Sequence, residues 1–406
     1  MRINPSCERP VVIIGSGFAG LATAIILKKN GISFRIFESN PSPSHIGGTV
    51  TIFPNGLRIL REIGVAKKVI EAGARIETAK FQNQRGHHLV WRSMGKASIY
   101  GEPTITIKRG ILYQILLDEV QKNGIKIEFS KEFFAAYDHD NYAMISFKDG
   151  SKVEASLLIG ADGANSTVRK LILGKDYKPR FVNLIYYGGF VNDEKYIQKL
   201  HLDKHTQYVY VGPSGFFGYS YITNEDYHKP ELLWYCYLHQ EIRPSRGELS
   251  RIELSEVKQK VLAHHRDWHH SIPELIEKTS TSCLASVSEI DPLPTWSKGR
   301  LLIIGDAAHA MNPISGQGAS TALEDAFLLG KLLSENHPAK NILHEFEGIR
   351  RKRVNSIAKK ASRSSKIGHC FVGPIFEFIR NTAFSLVTFL TPEMVLNKDF
   401  TYRIKK

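Results

Sequence analysis

The chain is 406 residues long, 42% hydrophobic and 23% charged, an ordinary globular composition with enough length for two or three packed regions. Its 54 Lys and Arg against 40 Asp and Glu leave a net charge of +14, which points to an anionic partner: a nucleotide cofactor, an acidic metabolite, nucleic acid or an anionic membrane surface. Cys7, Cys236, Cys283 and Cys370 form no C-x-x-C pair, so neither a disulfide framework nor a metal site is expected, and a reducing cytoplasm is.

No basic stretch followed by an apolar core precedes Val11, so no secretory signal is expected and the mature chain is expected to start near Met1. Val11 to Ile14 reads as a buried strand, and the glycines after it lead into a helix through Leu21, Ala24, Ile25 and Leu27 that closes at Asn30-Gly31. Phe34 to Phe37 is a second strand ending on Glu38, which completes a βαβ unit and opens a parallel sheet. A strand from Ile105 runs into Arg109 and a helix through Leu112, Ile115, Leu116 and Val120. Strand-like runs follow at Ile125 to Phe129, Met144 to Phe147 and Leu157 to Ile159, the last leading into Gly160-Ala161-Asp162-Gly163.

From Phe181 to Gln240 aromatic and polar residues alternate, Tyr208, Tyr210, Phe216, Phe217, Tyr219, Tyr221, Trp234, Tyr235 and Tyr237 among them. This predicts a mainly antiparallel sheet whose aromatics serve either as core or as pocket lining. Leu301 to Ile304 returns to the first sheet, followed by Gly305-Asp306 and a helix from about Ala319 to Leu333. The basic run Arg350 to Arg353 reads as a solvated helix face. Phe371 to Val387, broken by Pro374, Glu377 and Arg380, reads as a packing helix rather than a membrane span, which needs about 20 apolar residues. Peripheral membrane contact through that stretch and the tail residues Arg403, Lys405 and Lys406 is the less favoured reading.

Gly15-Ser16-Gly17-Phe18-Ala19-Gly20 is a G-x-G-x-x-G between strand and helix, with Glu38 near the offset of about 20 residues where an acid meets a ribose. Gly15 permits the sharp turn, Gly17 the approach of a pyrophosphate, and Gly20 close packing of helix on strand, while the helix N-terminus offers unpaired N–H groups to phosphate. An acid at Glu38 suits a free 2′-hydroxyl, hence FAD or NAD rather than NADP. Asp306, in Gly305-Asp306-Ala307-Ala308-His309, precedes Pro313 and Gly316-Gln317-Gly318 at a helix start, where N–H groups can face the negative charge of a reduced flavin. His309 reads as a hydrogen-bonded structural histidine rather than a base.

These last residues resemble the signature of the p-hydroxybenzoate hydroxylase family, the group A single-component FAD-dependent aromatic monooxygenases. Asp162-Gly163-Ala164-Asn165-Ser166 with Val168-Arg169 is similar to the family's second motif, and Arg109 matches a family arginine that approaches the FAD phosphate and ribityl region. Ile52-Phe53-Pro54-Asn55-Gly56 and Glu324-Asp325-Ala326 look most like the salicylate hydroxylase, urate hydroxylase and zeaxanthin epoxidase branch. Ser320 stands where relatives often carry Asn near the flavin, and Ser39 where they often carry a basic residue.

The resemblance implies an α/β fold. A Rossmann-like FAD-binding domain takes residues 1–80, 105–180 and 286–335, a mainly antiparallel substrate domain 81–104 and 181–285, and C-terminal helices 336–406. It also implies oxygen transfer to an aromatic or polycyclic molecule through a flavin C4a-hydroperoxide, with NADPH or NADH as transient reductant and O₂ as co-substrate. Gly15, Ser16, Gly17, Ala19, Gly20, Glu38, Arg109, Asp162, Asp306, Pro313, Gly316, Gln317 and Gly318 are the expected cofactor contacts. A flavin-dependent reductase of isoprenoid double bonds and a nonenzymatic flavin-binding protein are the alternatives. No recognition motif supports nucleic-acid binding, and a monomer or homodimer is expected.

Overall fold

The computed structural model describes residues 5–43, 47–175, 177–213, 215–224, 226–335, 339–370 and 397–404. Val11–Ile14 is buried throughout and sits inside a sheet ordered Ser297–Lys298, Leu301–Ile303, Leu157–Gly160, Val11–Ile14, Phe34–Phe37 and Ile127–Glu128. All neighbours in it are parallel except the first pair. Burial on both faces is why its strands read as continuous apolar runs rather than alternating ones. The helices Phe18–Lys29 and Gly318–Ser334 pack together on this sheet, with Gly330 letting the second approach Ile26 of the first.

A second sheet is ordered Thr281–Glu289, Arg180–Val191, Leu232–His239, Gly215–Tyr221, Thr206–Gly212, Thr78–Asn83 and His88–Ser93. It is antiparallel apart from the pairing of Thr206–Gly212 with Thr78–Asn83. It takes strand residues slightly beyond the expected 81 and 285, as strand ends carry little pattern of their own.

The strand register sorts the aromatics by parity. Ile185, Tyr187, Tyr219, Phe217, Trp234 and Cys236 face the helices Leu254–His265 and Ser271–Glu277 and form a core with Val257, Val261 and Ile272. Tyr186, Phe216, Tyr235 and Tyr237 lie on the opposite face, clustered with Leu184, Val287 and Ile314. The core reading of the alternating aromatics therefore holds for the face under the helices, and the other face gathers a second aromatic cluster.

The helix Ala339–Cys370 corrects one expectation. Arg350 is fully buried and Arg353 nearly so, because both turn toward Glu324 and Asp325 on the helix Gly318–Ser334. A neighbouring helix carrying two buried carboxylates offsets the cost of such burial, and those carboxylates lie 25 and 26 residues from Arg350 in the chain. Among the described residues no helix is long and apolar enough to cross a membrane. Phe371 to Val387, with Lys405 and Lys406, lies outside the described residues.

Candidate active site

The parallel strands 11–14, 34–37, 157–160 and 301–303 all end on one edge, so Gly15, Glu38, Asp162 and Asp306 emerge side by side there, the edge at which open α/β sheets bind ligands. Gly15 has φ 101°, and a Cβ on it would lie 2.4 Å from the Ala161 carbonyl oxygen. A Cβ on Gly20 would lie 2.0 Å from the Gly15 carbonyl oxygen. The chain's own packing thus demands both glycines.

Gly17 is different. Its φ of −71° suits any residue, and nothing lies within 4 Å of where its Cβ would stand. The space in front of it is open, at the start of a helix whose first N–H groups have no partner within the helix, so a phosphate has room to approach. Gly318, the first residue of its helix, likewise has no neighbour within 4 Å of a Cβ.

Glu38 accepts hydrogen bonds from the Ser16 N–H at 2.9 Å, the Ser16 hydroxyl at 2.8 Å and the Asn40 N–H at 2.9 Å. Burial works against its charge, but the bonds from Asn40 and Ser16 outweigh it and hold the carboxyl below its usual range. It stays an ionised acceptor beside the dinucleotide loop. The Ser39 hydroxyl also donates to it, at 3.2 Å.

Asp162 turns inward, accepting from the Ser166 hydroxyl at 2.5 Å and the N–H groups of Thr167 at 2.8 Å and Val168 at 3.1 Å. Burial nevertheless pushes its carboxyl upward. Arg169 then ties this turn to the next, donating to the Ala164 carbonyl at 2.6 Å and the Ala307 carbonyl at 2.9 Å.

Asp306 begins the short helix Asp306–His309, is exposed, and its carboxylate has no hydrogen-bond partner among the described residues. Gly305, before it, presses on Ala19, 2.9 Å from its Cβ to the Ala19 Cβ if built. That contact puts the Asp306 turn against the dinucleotide helix. Arg109 is also exposed, with its guanidinium 5.0 Å over the Phe18 ring and its side chain lying across Gly47. The Arg109 N–H donates to the Gly48 carbonyl at 2.9 Å. Gly47 and Gly48 were not singled out from sequence, although a Gly-Gly pair just before the strand Thr49–Ile52 was the available signal.

The turn Pro313–Ser315 is a single 3₁₀ turn capped by Asn312. Gly316, at φ 62°, gives its N–H to Pro313 at 2.9 Å, and the Gln317 N–H goes to the Ser315 hydroxyl at 3.2 Å. The donors left without a partner among the described residues are those of Gly318, Ala319 and Ser320. Of the expected Gly316 to Gly318, Gly318 thus keeps an unpartnered N–H among the described residues, while Gly316 and Gln317 shape the turn. Gln317 and Ser320 point inward, accepting from the Asn55 side chain at 3.1 Å and the Phe53 N–H at 3.3 Å. His309 is buried, 2.6 Å from Asp325, which fits the structural reading.

The second sheet closes over these turns. Ile314 packs on the cluster of Tyr186, Phe216, Tyr235 and Tyr237, and a Cβ on Gly48 would lie 3.0 Å from the Cys283 sulfur and 3.7 Å from the Tyr186 hydroxyl. Gly188 and Gly218 leave room for the tyrosines to lie along the sheet, since a Cβ on either would strike the Tyr186 or the Tyr235 ring. Burial pushes the hydroxyls of Tyr186, Tyr235 and Tyr237 upward, and the Cys283 thiol to about 11, so this face is uncharged at neutral pH.

Residues 8–361 match the family model for the FAD binding domain. The chain is 29% identical over 365 residues to the aurachin C monooxygenase/isomerase of Stigmatella aurantiaca, covering 88% of this chain and 89% of that one. It is 28% identical over 374 residues to the 6-hydroxynicotinate 3-monooxygenase of Pseudomonas fluorescens, at 88% and 89% coverage. Its fold is that of Klebsiella pneumoniae HpxO complexed with FAD and uric acid, with a TM-score of 0.80 at 20% identity over 94% of this chain and 93% of that one. The glycine turn at the strand ends, open in front of Gly17, agrees with a family match over most of the length: the chain belongs to the p-hydroxybenzoate hydroxylase-like FAD-binding family and is an FAD-dependent monooxygenase.

Proposed function

We propose that the chain hydroxylates or epoxidises a planar, electron-rich aromatic molecule held between the Gly48 and Ile314 turns and the tyrosine face of the second sheet. The observation that carries this is the register that gathers Tyr186, Phe216, Tyr235 and Tyr237 against Ile314, one residue past the start of the flavin turn. Bound FAD supplies acceptance of hydride from NAD(P)H and activation of O₂.

The chain's own residues supply the rest. The loop Gly15 to Gly20, with the helix behind it, takes the pyrophosphate, and Glu38 accepts from the ribose of the adenosine. Asp306 holds the ribityl hydroxyls, Arg109 lies along the phosphate and ribityl side, and the N–H groups of Gly318 and Ala319 face the charge that develops on the reduced ring. Asp162, Pro313, Gly316 and Gln317 shape the turns that hold these groups.

On the substrate side, un-ionised tyrosine hydroxyls donate hydrogen bonds rather than repel or bind charge, and Gln207 fixes Tyr235 by donating to its hydroxyl at 3.0 Å. Stacked and edge-on rings favour a flat ligand, as with Tyr186 and Tyr235 at 6.5 Å and Tyr186 and Tyr237 at 5.5 Å. The protein works in the cytoplasm, where NAD(P)H is at hand, as monomer or homodimer.

The test is NAD(P)H oxidation by the FAD-loaded protein against a panel of aromatic compounds, with and without O₂, followed by mass spectrometry in ¹⁸O₂. An O₂-dependent product carrying one labelled oxygen supports the reading. Equal turnover without O₂, with a saturated double bond in the product, replaces it by the reductase.

A further inference from the structure

Three aromatic rings connect the far end of the chain to the flavin turn. Phe400 stacks on Phe53 at 4.7 Å between ring centres and meets Tyr100 edge-on at 5.4 Å, and all three are at most 5% exposed. The Phe53 ring lies directly under Gly316, where a Cβ would come within 2.7 Å of it. The Phe53 N–H is also the donor to Ser320, at the start of the helix whose first N–H groups are unpartnered.

Polar contacts hold the tail in one place. Arg58 donates to the carbonyls of Phe400 at 2.8 Å, Tyr402 at 3.1 Å and Tyr100 at 2.5 Å. Arg353 reaches the Asp399 carbonyl at 3.1 Å and lies 3.8 Å over the Tyr402 ring, while its guanidinium also bonds Glu324 at 2.8 Å. Glu324 in turn accepts from Asn55 at 2.7 Å, and Asn55 donates to Gln317. The tail is thus attached to both sides of the flavin turn, by rings through Phe53 and by charge through Glu324.

We propose that residues 397–404 are a positioning element for the flavin, with Phe400 fixing the Phe53 ring and the Phe53 ring fixing where Gly316 and the donors of Gly318 and Ala319 stand. This rests on the assignment of that turn to the flavin. Packed rings transmit a displacement because a close-packed interior does not deform smoothly. Loss of the Phe400 ring lets Phe53 drop and the turn follow it, away from the ring it serves. The tail residues act on the flavin only through that turn.

The experiment uses the full chain with FAD and compares Phe400→Ala and Phe400→Leu with Phe134→Ala, an exposed residue on a separate sheet. Three quantities are read: the Kd for FAD by fluorescence titration, the shape of the bound flavin's visible absorption, and hydrogen peroxide released per NAD(P)H consumed. Phe400→Ala is expected to weaken FAD by about tenfold, the size of a typical coupling between sites, to alter the visible band and to raise peroxide release. Phe400→Leu, which keeps most of the volume and folds where Ala does not, falls between Ala and wild type.

Unchanged Kd, band shape and peroxide yield in a folded Phe400 variant, with wild type binding FAD, overturns the proposal and leaves the site reading intact. Wild-type protein that takes up no FAD overturns both. An equal loss in Phe134→Ala shows general destabilisation and also overturns the proposal.

Discussion

Arg350 donates from Nε to Asp325 at 2.7 Å and from Nη1 to Glu324 at 2.6 Å, with the three side chains at most 1% exposed. Asp325 gives its other oxygen to the Gly305 N–H at 2.8 Å and to His309 at 2.6 Å. Burial raises the cost of the Asp325 charge, but His309 and Arg350 outweigh it and hold the carboxyl below its usual range. A basic helix face thereby positions the turn that carries Asp306. Arg350→Met is expected to lower stability by about 3 kcal/mol, the low end for breaking a buried pair because Arg353 and His309 keep one partner on each carboxylate. Flavin per protein should fall with it. Thermal unfolding and the absorbance ratio of the purified variant measure both. Read as a solvated face, Arg350 would be replaceable without loss of flavin, and full flavin content in the variant would restore that reading.

Two glycines three residues apart should fail in different ways. Gly17→Val adds a side chain that meets nothing in the chain, in an extended conformation a β-branched residue accepts. Stability is expected within about 0.5 kcal/mol of wild type, with FAD binding lost. Gly20→Ala forces a Cβ toward the Gly15 carbonyl, so about 1–3 kcal/mol of stability should go first, with flavin lost as a consequence. Parallel unfolding curves of the FAD-free proteins separate the two. A destabilised Gly17→Val would mean that the loop is an ordinary turn.

Asp306→Ala removes an exposed carboxylate with no partner among the described residues, so the FAD-free protein should unfold within about 0.5 kcal/mol of wild type. If Asp306 accepts ribityl hydroxyls, its loss should cost about 1.5–3 kcal/mol of FAD binding, the range for hydrogen bonds to a charged group. Fluorescence titration reads this directly. Equal Kd values for variant and wild type would remove Asp306 from the site.

Much of this site follows from local spacing. Gly15, Gly17, Gly20 and Glu38 announce themselves because one βαβ unit holds all of them, and the geometry of such a unit is nearly invariant. Asp306 is legible for the same reason, as a strand end followed by glycines. The tyrosines are less so, because both faces of the second sheet are covered, one by helices and one by the Gly48 and Ile314 turns, and each covering takes aromatics. Only the pairing of Tyr186 with Tyr237, rather than with Tyr187's neighbours, assigns the face. Arg350 and Phe400 are invisible at the level of sequence, since their partners Asp325 and Phe53 are remote in the chain and nothing local distinguishes a buried arginine from a solvated one. That Gly316 and Gln317 offer no unpartnered N–H depends on two acceptors within the turn, the Pro313 carbonyl and the Ser315 hydroxyl, which no spacing announces.

Acid sensitivity should be set in the helix Leu254–His265, which packs on the second sheet, before it is set at the carboxylates. His265 is fully buried, its Nδ1 bonded to the Val261 carbonyl at 2.8 Å, its Nε2 without a partner among the described residues, and its ring against Phe217 and Trp268. Burial lowers its pKa to about 4, from an ordinary value of 6.5. Between these two values the unfolded chain binds a proton that the folded chain refuses, so stability rises with pH there and is lost as pH falls from 6.5 toward 4. The loss amounts to roughly 3 kcal/mol over the window. Below it both states carry the proton and this contribution is exhausted, while Asp325, whose carboxyl is depressed, loses its contribution only as pH falls below the ordinary aspartate range of about 3.9. Denaturant unfolding between pH 7 and 4 should show the decline in wild type and a flatter profile in His265→Phe, whatever that variant's stability at pH 7. Identical slopes for the two proteins would mean that the imidazole is already protonated in the folded protein.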